Sequence, residues 1–428
     1  METKLERIAK ISKGNPKEVF TSIYHLINKE LLLKCHKELD GNKASGIDDM
    51  TKAEYNENLQ ENINKLVNSL KDKTFKPTPA KRVYIPKANG KMRGLAIAIY
   101  EDKIVQLALK KLIEAIYEPK FLDCMHGFRH GRGCHSAIRA LNEIILFHKV
   151  NYIIDADIKG FFDNVDHKWL IKCIEQHIKD RNVINLVNKF LKAGVIENHK
   201  RYDTKLGTPQ GSILSPVLAN IYMHYVLTLW FEKIVKARFD GECYITVYAD
   251  DFVCCFQYKR EAELFMNTAL PNRLAKFNLE LAKDKTRLIE FGRFAKPNAQ
   301  TKKRDTFDFL GFTHYCSKSR NGKFRVKRKT SKKKFNAKVI EFKLWLKENQ
   351  NMPIKELMEN VNAKLIGHYQ YFGISDNAMG IKRFENEVNK MLFKYLNRRS
   401  QRKSYNTEEF IELKKQYPLA QPKIYVRL

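Results

Sequence analysis

The sequence predicts an α+β chain, and three observations predict it. Apolar residues recur at helical spacing near the start and again beyond Lys334. Between these regions lie short β-branched and aromatic runs bounded by turn signals. Two of those runs, Cys243-Tyr244-Ile245-Thr246-Val247 and Phe252-Val253-Cys254-Cys255-Phe256, flank Tyr248-Ala249-Asp250-Asp251, which reads as a hairpin tip carrying two adjacent carboxylates. Two acids side by side repel and imply a cation. Ending apolar strands in Asp-Asp costs several kcal/mol unless a metal or hydrogen-bond donors compensate. Taken alone, the four residues are equally well read as an Asp-containing turn.

In chain order, Val19, Phe20, Ile23, Ile27 and Leu31 predict a helical piece over 17–38, followed by a polar loop from Asp40 to Asp49. A strand from Lys81 to Pro86, the turn signal at 87–91 and Met92-Arg93 predict a hairpin with a basic tip. Helix follows from Glu101 to Tyr117 and strand over Asn151 to Asp157. Asp166 is placed to cap a helix from His167 to Ile178. After the loop Gly207-Thr208-Pro209-Gln210-Gly211-Ser212, the pair Ser215-Pro216 predicts a helix to about Phe231, with Ser as N-cap and Pro at the first helical position. The stretch Ser317–Lys334 carries ten basic residues in eighteen and no acid. Helical patterns over 334–349, 354–372 and 380–396 then predict a small bundle with basic faces, including Arg398, Arg399, Arg402 and Lys403.

Composition names the partner class. With 428 residues and 43% hydrophobic content the chain can bury real cores. Its 79 Lys and Arg against 48 acids, a net charge of +31, make a polyanion the expected partner. No apolar run approaches the roughly 18 residues of a spanning helix, so no membrane partner is expected. Met1-Glu2-Thr3-Lys4-Leu5-Glu6-Arg7 lacks the apolar stretch of a signal peptide. Eight irregularly spaced cysteines suit reduced thiols in a cytosol. Cys124, His126, Cys134 and His135 have no regular ligand spacing, and loop packing accounts for them better than zinc.

Two-metal phosphoryl transfer needs a further carboxylate from a separate strand. Asp157, ending the apolar strand that holds Tyr152-Ile153-Ile154, is the natural candidate, and Asp155 and Asp163 compete for the role. Such oxygen donors suit Mg²⁺.

The segments Asp157-Ile158-Lys159-Gly160-Phe161-Phe162-Asp163, Gly207-Thr208-Pro209-Gln210-Gly211-Ser212-Ile213-Leu214-Ser215-Pro216 and Tyr248-Ala249-Asp250-Asp251 stand in the order of polymerase motifs A, B and C. Gly127-Phe128-Arg129 with Gly131-Arg132-Gly133, Lys285-Thr286, and Phe309-Leu310-Gly311-Phe312 fall where further family blocks do. Over residues 40–428 the chain resembles a reverse transcriptase of the bacterial group II intron type.

That resemblance implies a right-hand polymerase, with fingers, a palm of antiparallel sheet and buried helices, and a helical thumb. Its parts would be an N-terminal extension and start of the fingers over 1–75, fingers over 76–150, palm with inserted finger segments over 151–315, and thumb with a maturase-like region over 316–428. It implies that Asp157, Asp250 and Asp251, with the Ile158 carbonyl, hold two Mg²⁺ ions, with Mn²⁺ as a substitute. Lys87 and Arg93 would meet the dNTP triphosphate, Gln210 would pack near sugar and base, Phe162 would exclude a ribose 2′-hydroxyl, and Lys285 would protonate pyrophosphate. Arg129, Arg132, Lys327, Arg328, Lys329, Lys332, Lys333 and Lys334 would contact nucleic acid through phosphates.

The implied function is RNA-directed DNA synthesis on an RNA template from a DNA or RNA primer, with binding and splicing of a group II intron RNA, in a bacterial cytoplasm, near the nucleoid. A domesticated enzyme copying a dedicated non-coding RNA, as in phage defence, and a splicing maturase with an idle polymerase are the alternatives. The chain departs from the family in its fingers: Arg93-Gly94-Leu95-Ala96-Ile97-Ala98 replaces Arg-Pro-Leu-Gly-Ile-Pro, His130 replaces a proline, and Asp49 stands where Gly often follows Asp48. Losing prolines there loosens loops and leaves the acids untouched.

Overall fold

The computed structural model describes residues 3–86, 92–297, 304–399 and 405–428. It holds two compact units, each assembled from several stretches. The first comprises Met1–Ala137, Ala156–Cys254 and Arg260–Arg287, and the second Ile138–Asp155, Cys255–Lys259 and Leu288–Leu428. Helix and strand are both abundant, as an α+β chain requires.

In the first unit, helix Lys4–Gly14 is started by a capping box of Thr3 and Glu6. The helical pattern over 17–38 does not form one helix. Phe20 makes a β-bridge with Ile178, Tyr24–Leu26 is a single 3₁₀ turn, and only Lys29–Glu38 is α-helical. The cause is a competing acceptor. The buried Asp180 carboxylate takes the N–H groups of Ile23 and Tyr24 at 2.7 and 2.8 Å, and Asn28 caps the helix that follows.

Strand Ala80–Pro86 pairs antiparallel with Met92–Ile97, placing Arg93 opposite Ile85. Two short strands, Val195–Glu197 and Lys200–Tyr202, extend that sheet. Helix Tyr100–Tyr117 is buried along most of its length. Asp166 caps its helix by accepting from Trp169 N, and the helix ends at Ile174 rather than Ile178. Ser215 opens its helix without capping it: Leu214 is the N-cap residue, and the Ser215 hydroxyl donates to Pro209 O at 2.9 Å. Past Met223 this helix passes through two π turns, His224–Thr228 and Phe231–Val235, to Arg238. It outruns Phe231 because Val235 is also buried.

Strands Cys243–Tyr248 and Asp251–Phe256 flank the turn that carries Asp250, and strand Tyr152–Asp157 ends in Asp157. Asp157 and the Tyr248–Asp251 turn belong to the first unit.

In the second unit the basic stretch 317–334 is built into strand and helix. It forms the last two residues of strand Phe312–Lys318, all of strand Phe324–Thr330 and the first turn of helix Lys332–Asn349. Thr306–Phe309 completes a three-stranded sheet, joined to the next strand at Leu310 and Gly311, both with positive φ. Helices Ile354–Phe372, Ala378–Leu396 and Thr407–Gln416 follow. They close on a core that includes Leu346, Val361, Leu365, Phe384, Val388 and Leu392, each fully buried Leu, Val or Phe contributing about 1.5–3 kcal/mol. The buried Asn377 ties this bundle to the sheet: its amide donates to Thr330 Oγ1 and Phe372 O, and its oxygen accepts Thr330 N. Among the described residues no helix is long and apolar enough to cross a membrane.

Candidate active site

The carboxylate hairpin forms as its residue types require. Strands Cys243–Tyr248 and Asp251–Phe256 leave a two-residue turn, Ala249-Asp250, in which Ala249 takes φ 58°. A left-handed alanine costs roughly 1 kcal/mol or more, so neighbours must hold it. Segment 124–127 does so. Val247 N donates to Cys124 O and His126 N to Val247 O, both at 2.8 Å. A Cβ on Gly127 would come within 2.3 Å of Ala249 N, so only glycine admits this approach. Gly127 O is in turn fixed by the buried Asn220 amide at 2.8 Å.

Asp157 is set by a second pairing. Ala282 N donates to Asp157 O at 2.8 Å, Lys159 N to Glu280 O at 2.9 Å, and Ile158 bridges Leu281. Lys285, one turn further on, places its ammonium on Asp157 Oδ2. Asp250 lies within electrostatic reach of both. Burial raises its pKa, Asp157 adds to the rise, and the cations Arg93 and Lys285 oppose it. The pKa of Lys285 is raised by its hydrogen bond to Asp157.

The Gly207–Ser212 loop packs on the turn after Asp157. Thr208 N donates to Phe162 O at 2.7 Å and Gly207 N to Val165 O at 2.8 Å. A Cβ on Gly207, whose φ is +85°, would lie 2.8 Å from the carbonyls of Phe162 and Asp163. The Gln210 amide donates to Asp163 Oδ1 at 3.3 Å, while Gln210 O accepts Ala96 N at 2.6 Å from the fingertip hairpin. Phe162 is half-buried, edge-on to Phe161 at 5.4 Å and to Phe128 at 6.3 Å. Asp163 thus accepts the amide of the loop's Gln210.

One group here has no sequence signal. Gln106, buried in helix Tyr100–Tyr117, accepts both Ser212 Oγ at 2.9 Å and Ile213 N at 3.0 Å, fixing the far end of the loop. Asn220 did leave a signal, as a lone amide in an apolar helix.

Several expected contacts are placed differently. Lys87 lies outside the described residues. Arg129 is no phosphate ligand here. Its side chain is 5% exposed and is consumed by Glu118 at 2.9 Å and by the carbonyls of Leu122 and Met125. Arg132 is partly exposed but bonds both Asp123 Oδ1 and Asp123 O. Arg328 does not face phosphate either: it is 1% exposed, held by Asn142 Oδ1 at 3.0 Å, Val326 O at 2.6 Å and Asp376. Strand alternation turns it to the same side as Val326. Lys327 is half-buried, and Lys329, Lys332, Lys333 and Lys334 are exposed.

Among the described residues no three His, Cys, Asp and Glu side chains are gathered as a metal cage. The donor chemistry suits a hard divalent cation all the same: Asp250 is a desolvated carboxylate beside Asp157, and a lysine ammonium supplies the positive charge on that pair.

Residues 85–314, more than half of the chain, match the family model for reverse transcriptase (RNA-dependent DNA polymerase). The chain belongs to the reverse transcriptase family. Reverse transcriptases work with divalent metal ions, in keeping with this donor set. Residues 332–410 match the group II intron maturase-specific domain, so this reverse transcriptase is of the group II intron type. It is 44% identical over 247 residues to the group II intron-encoded protein LtrA of Lactococcus lactis subsp. cremoris, a match covering 56% of this chain and 39% of LtrA. It is 39% identical over 241 residues to an uncharacterized 91 kDa protein in the cob intron of Schizosaccharomyces pombe, covering 55% and 29%. Protein YkfC of Escherichia coli K12 is 30% identical over 316 residues, covering 67% of this chain and 80% of YkfC. The match thus spans less than half the length of the two intron proteins.

Proposed function

We propose that this reverse transcriptase copies an RNA template into cDNA from a DNA or RNA primer, and that it binds a group II intron RNA and helps it to splice. The observation that carries the reading is the convergence of Asp157, Asp250, Arg93 and Lys285 beside one strained turn. Two carboxylates held against burial, with cations beside them, are suited to stabilising a transferring phosphoryl group.

On this reading Asp157, Asp250 and Asp251, with the Ile158 carbonyl, hold two Mg²⁺ ions, or Mn²⁺ in their place. Ions held there would supply Lewis-acid activation of the primer 3′-hydroxyl and positive charge beside the triphosphate. The chain's own groups do the rest. Arg93 and Lys87 meet the triphosphate, and Lys285, released from Asp157, protonates the pyrophosphate. Gln210, anchored through Asp163, borders the nucleotide, and Phe162 excludes the 2′-hydroxyl by clash. The architecture is the right hand: N-terminal extension and start of the fingers over 1–75, fingers over 76–150, palm over 151–315, thumb and maturase region over 316–428.

The splicing role rests on the maturase match and on charge placement. Lys332, Lys333 and Lys334 crowd the first turn of a helix that has no acid there. Cations at a helix N-terminus oppose the macrodipole by about 0.3–1 kcal/mol each, so their use is external, and phosphate is the fitting partner.

Primer extension on an RNA template with Mg²⁺ and dNTPs tests the reading, comparing wild type with Asp250→Asn. Extension by wild type alone is expected. Equal extension by both refutes the metal assignment, and none by either leaves splicing as the activity to assay.

A further inference from the structure

Three aromatic side chains of the second unit stand out from its surface. Phe147 is 79% exposed, Phe294 75% and Tyr258 48%. They are distant in sequence, yet the backbone draws them together. Asn151 donates its N–H to Phe256 O at 2.9 Å and its side-chain amide to Gln257 O at 3.0 Å, and it accepts Phe291 N at 2.9 Å. The Arg293 guanidinium donates to Leu146 O at 3.3 Å. Gly292, at φ +148°, lies so close to Val150 that a Cβ would stand 2.1 Å from the Val150 carbonyl. Each aromatic is therefore the residue next to a bonded one: Phe147 follows Leu146, Tyr258 follows Gln257, and Phe294 follows Arg293.

The charges around them are mostly positive. Lys149, Lys259, Arg293 and Lys296 are exposed on the same segments. Of the nearby acids, Glu290 accepts Lys296 N at 2.9 Å, and Glu143 lies one turn before Phe147. Apolar rings of this size are ordinarily buried. Three of them exposed on bonded, neighbouring segments, interleaved with cations, have the make-up of a platform on which bases stack while phosphates pair with the flanking lysines and arginine.

We propose that this face binds single-stranded RNA, with bases stacked on Phe147, Tyr258 and Phe294 and phosphates held by Lys149, Lys259, Arg293 and Lys296. A second copy of the chain fits the face poorly, because a two-fold interface sets these cations against their own images. A polyanion meets them with opposite charge. The inference rests on the RNA-binding reading above and adds a surface formed by segments other than those that carry the carboxylates.

The test uses the full chain and a 4-thiouridine-substituted oligouridine of about 20 nucleotides, enough to span a stacking groove. Irradiation followed by peptide mapping is expected to give crosslinks within the peptides that hold Phe147, Tyr258 and Phe294. Phe147→Ala/Phe294→Ala, at exposed positions where folding is spared, is expected to lose those crosslinks and to weaken oligouridine binding by about tenfold or more. Primer extension at saturating template–primer is expected to stay as in wild type. Crosslinks confined to other segments overturn this proposal and leave the RNA-binding reading standing, whereas failure to bind any RNA overturns both. Equal RNA affinity in wild type and variant, with a wild-type dimer that the variant loses in light scattering, makes the face a protein interface and also overturns the proposal.

Discussion

The Lys285 ammonium rests on the carboxylate of Asp157, the same carboxylate whose charge adds to the raised pKa of Asp250. A tethered lysine thus neutralises part of an acid pair that would otherwise repel itself. A divalent ion that takes Asp157 Oδ2 must displace this ammonium. Lys285→Ala should therefore tighten Mn²⁺ binding several-fold in the absence of nucleic acid, measured by electron paramagnetic resonance of the free ion, because the competitor is gone. If Lys285 is the proton donor proposed above, the same variant should also extend primers more slowly. Unchanged Mn²⁺ affinity would argue against competition at Asp157.

Gly127 faces the turn that presents Asp250. Gly127→Ala forces a Cβ into Ala249 N, and the carboxylates must shift. A displacement of about 1 Å in a catalytic group can cost on the order of 100-fold in rate. Primer extension should fall by about that factor while the far-ultraviolet circular dichroism stays native. Wild-type rates would mean that the turn is not set by this contact.

Arg328 and Lys329 are neighbours with opposite fates. Arg328→Ala removes a buried guanidinium from Asp376, Asn142 and the Val326 carbonyl and should cost about 3 kcal/mol or more, read as a lower urea midpoint. Lys329→Ala removes an exposed charge and should leave that midpoint within about 0.5 kcal/mol while flattening the salt dependence of RNA binding. The reverse pattern would exchange their roles.

Asp102 links stability to pH. Burial pushes its carboxyl up from 3.8 to about 7, against the lowering effect of the Thr78 N–H it accepts at 2.8 Å. A carboxyl whose pKa is raised by folding stabilises fully below the unfolded value and loses that contribution as pH climbs through the folded one. Wild-type melting temperature should thus drop relative to Asp102→Asn between about pH 4 and pH 7. Parallel melting curves across that window would place Asp102 outside the linkage.

Much of the site was legible before folding because its signals are local. The apolar, strand-like runs around Asp250-Asp251 gave the hairpin, Asp166 its cap, and the turn signal at 87–91, between Lys81–Pro86 and Met92-Arg93, gave the hairpin whose strands pair as expected. The misreadings share a different cause. The 17–38 pattern had the helical period, but Asp180, far along the chain, took the N–H groups that a helix would have used. Arg129 and Arg328 carry the composition of phosphate ligands, and acids and carbonyls elsewhere in the chain hold them instead. In Arg328 a signal was present, since it stands two residues from Val326 on a strand. Gln106 gave none, because an amide in a helix looks the same whether it faces solvent or a loop.

The sequence by itself determined the residue types that make the chemistry: the Asp-Asp turn, the strand-end Asp157, the glycine-flanked Gln210 and an excess of cations that calls for a polyanion. Those depend on neighbours a few positions apart, where steric and hydrogen-bonding rules act directly on the chain. The tertiary structure alone decided that Lys285 meets Asp157, that Gly127 holds Ala249 in its left-handed turn, and that Arg328 is buried while Lys329 is not. Each depends on which distant segment arrives opposite which, and that is set by the burial of whole faces rather than by any residue's own preference.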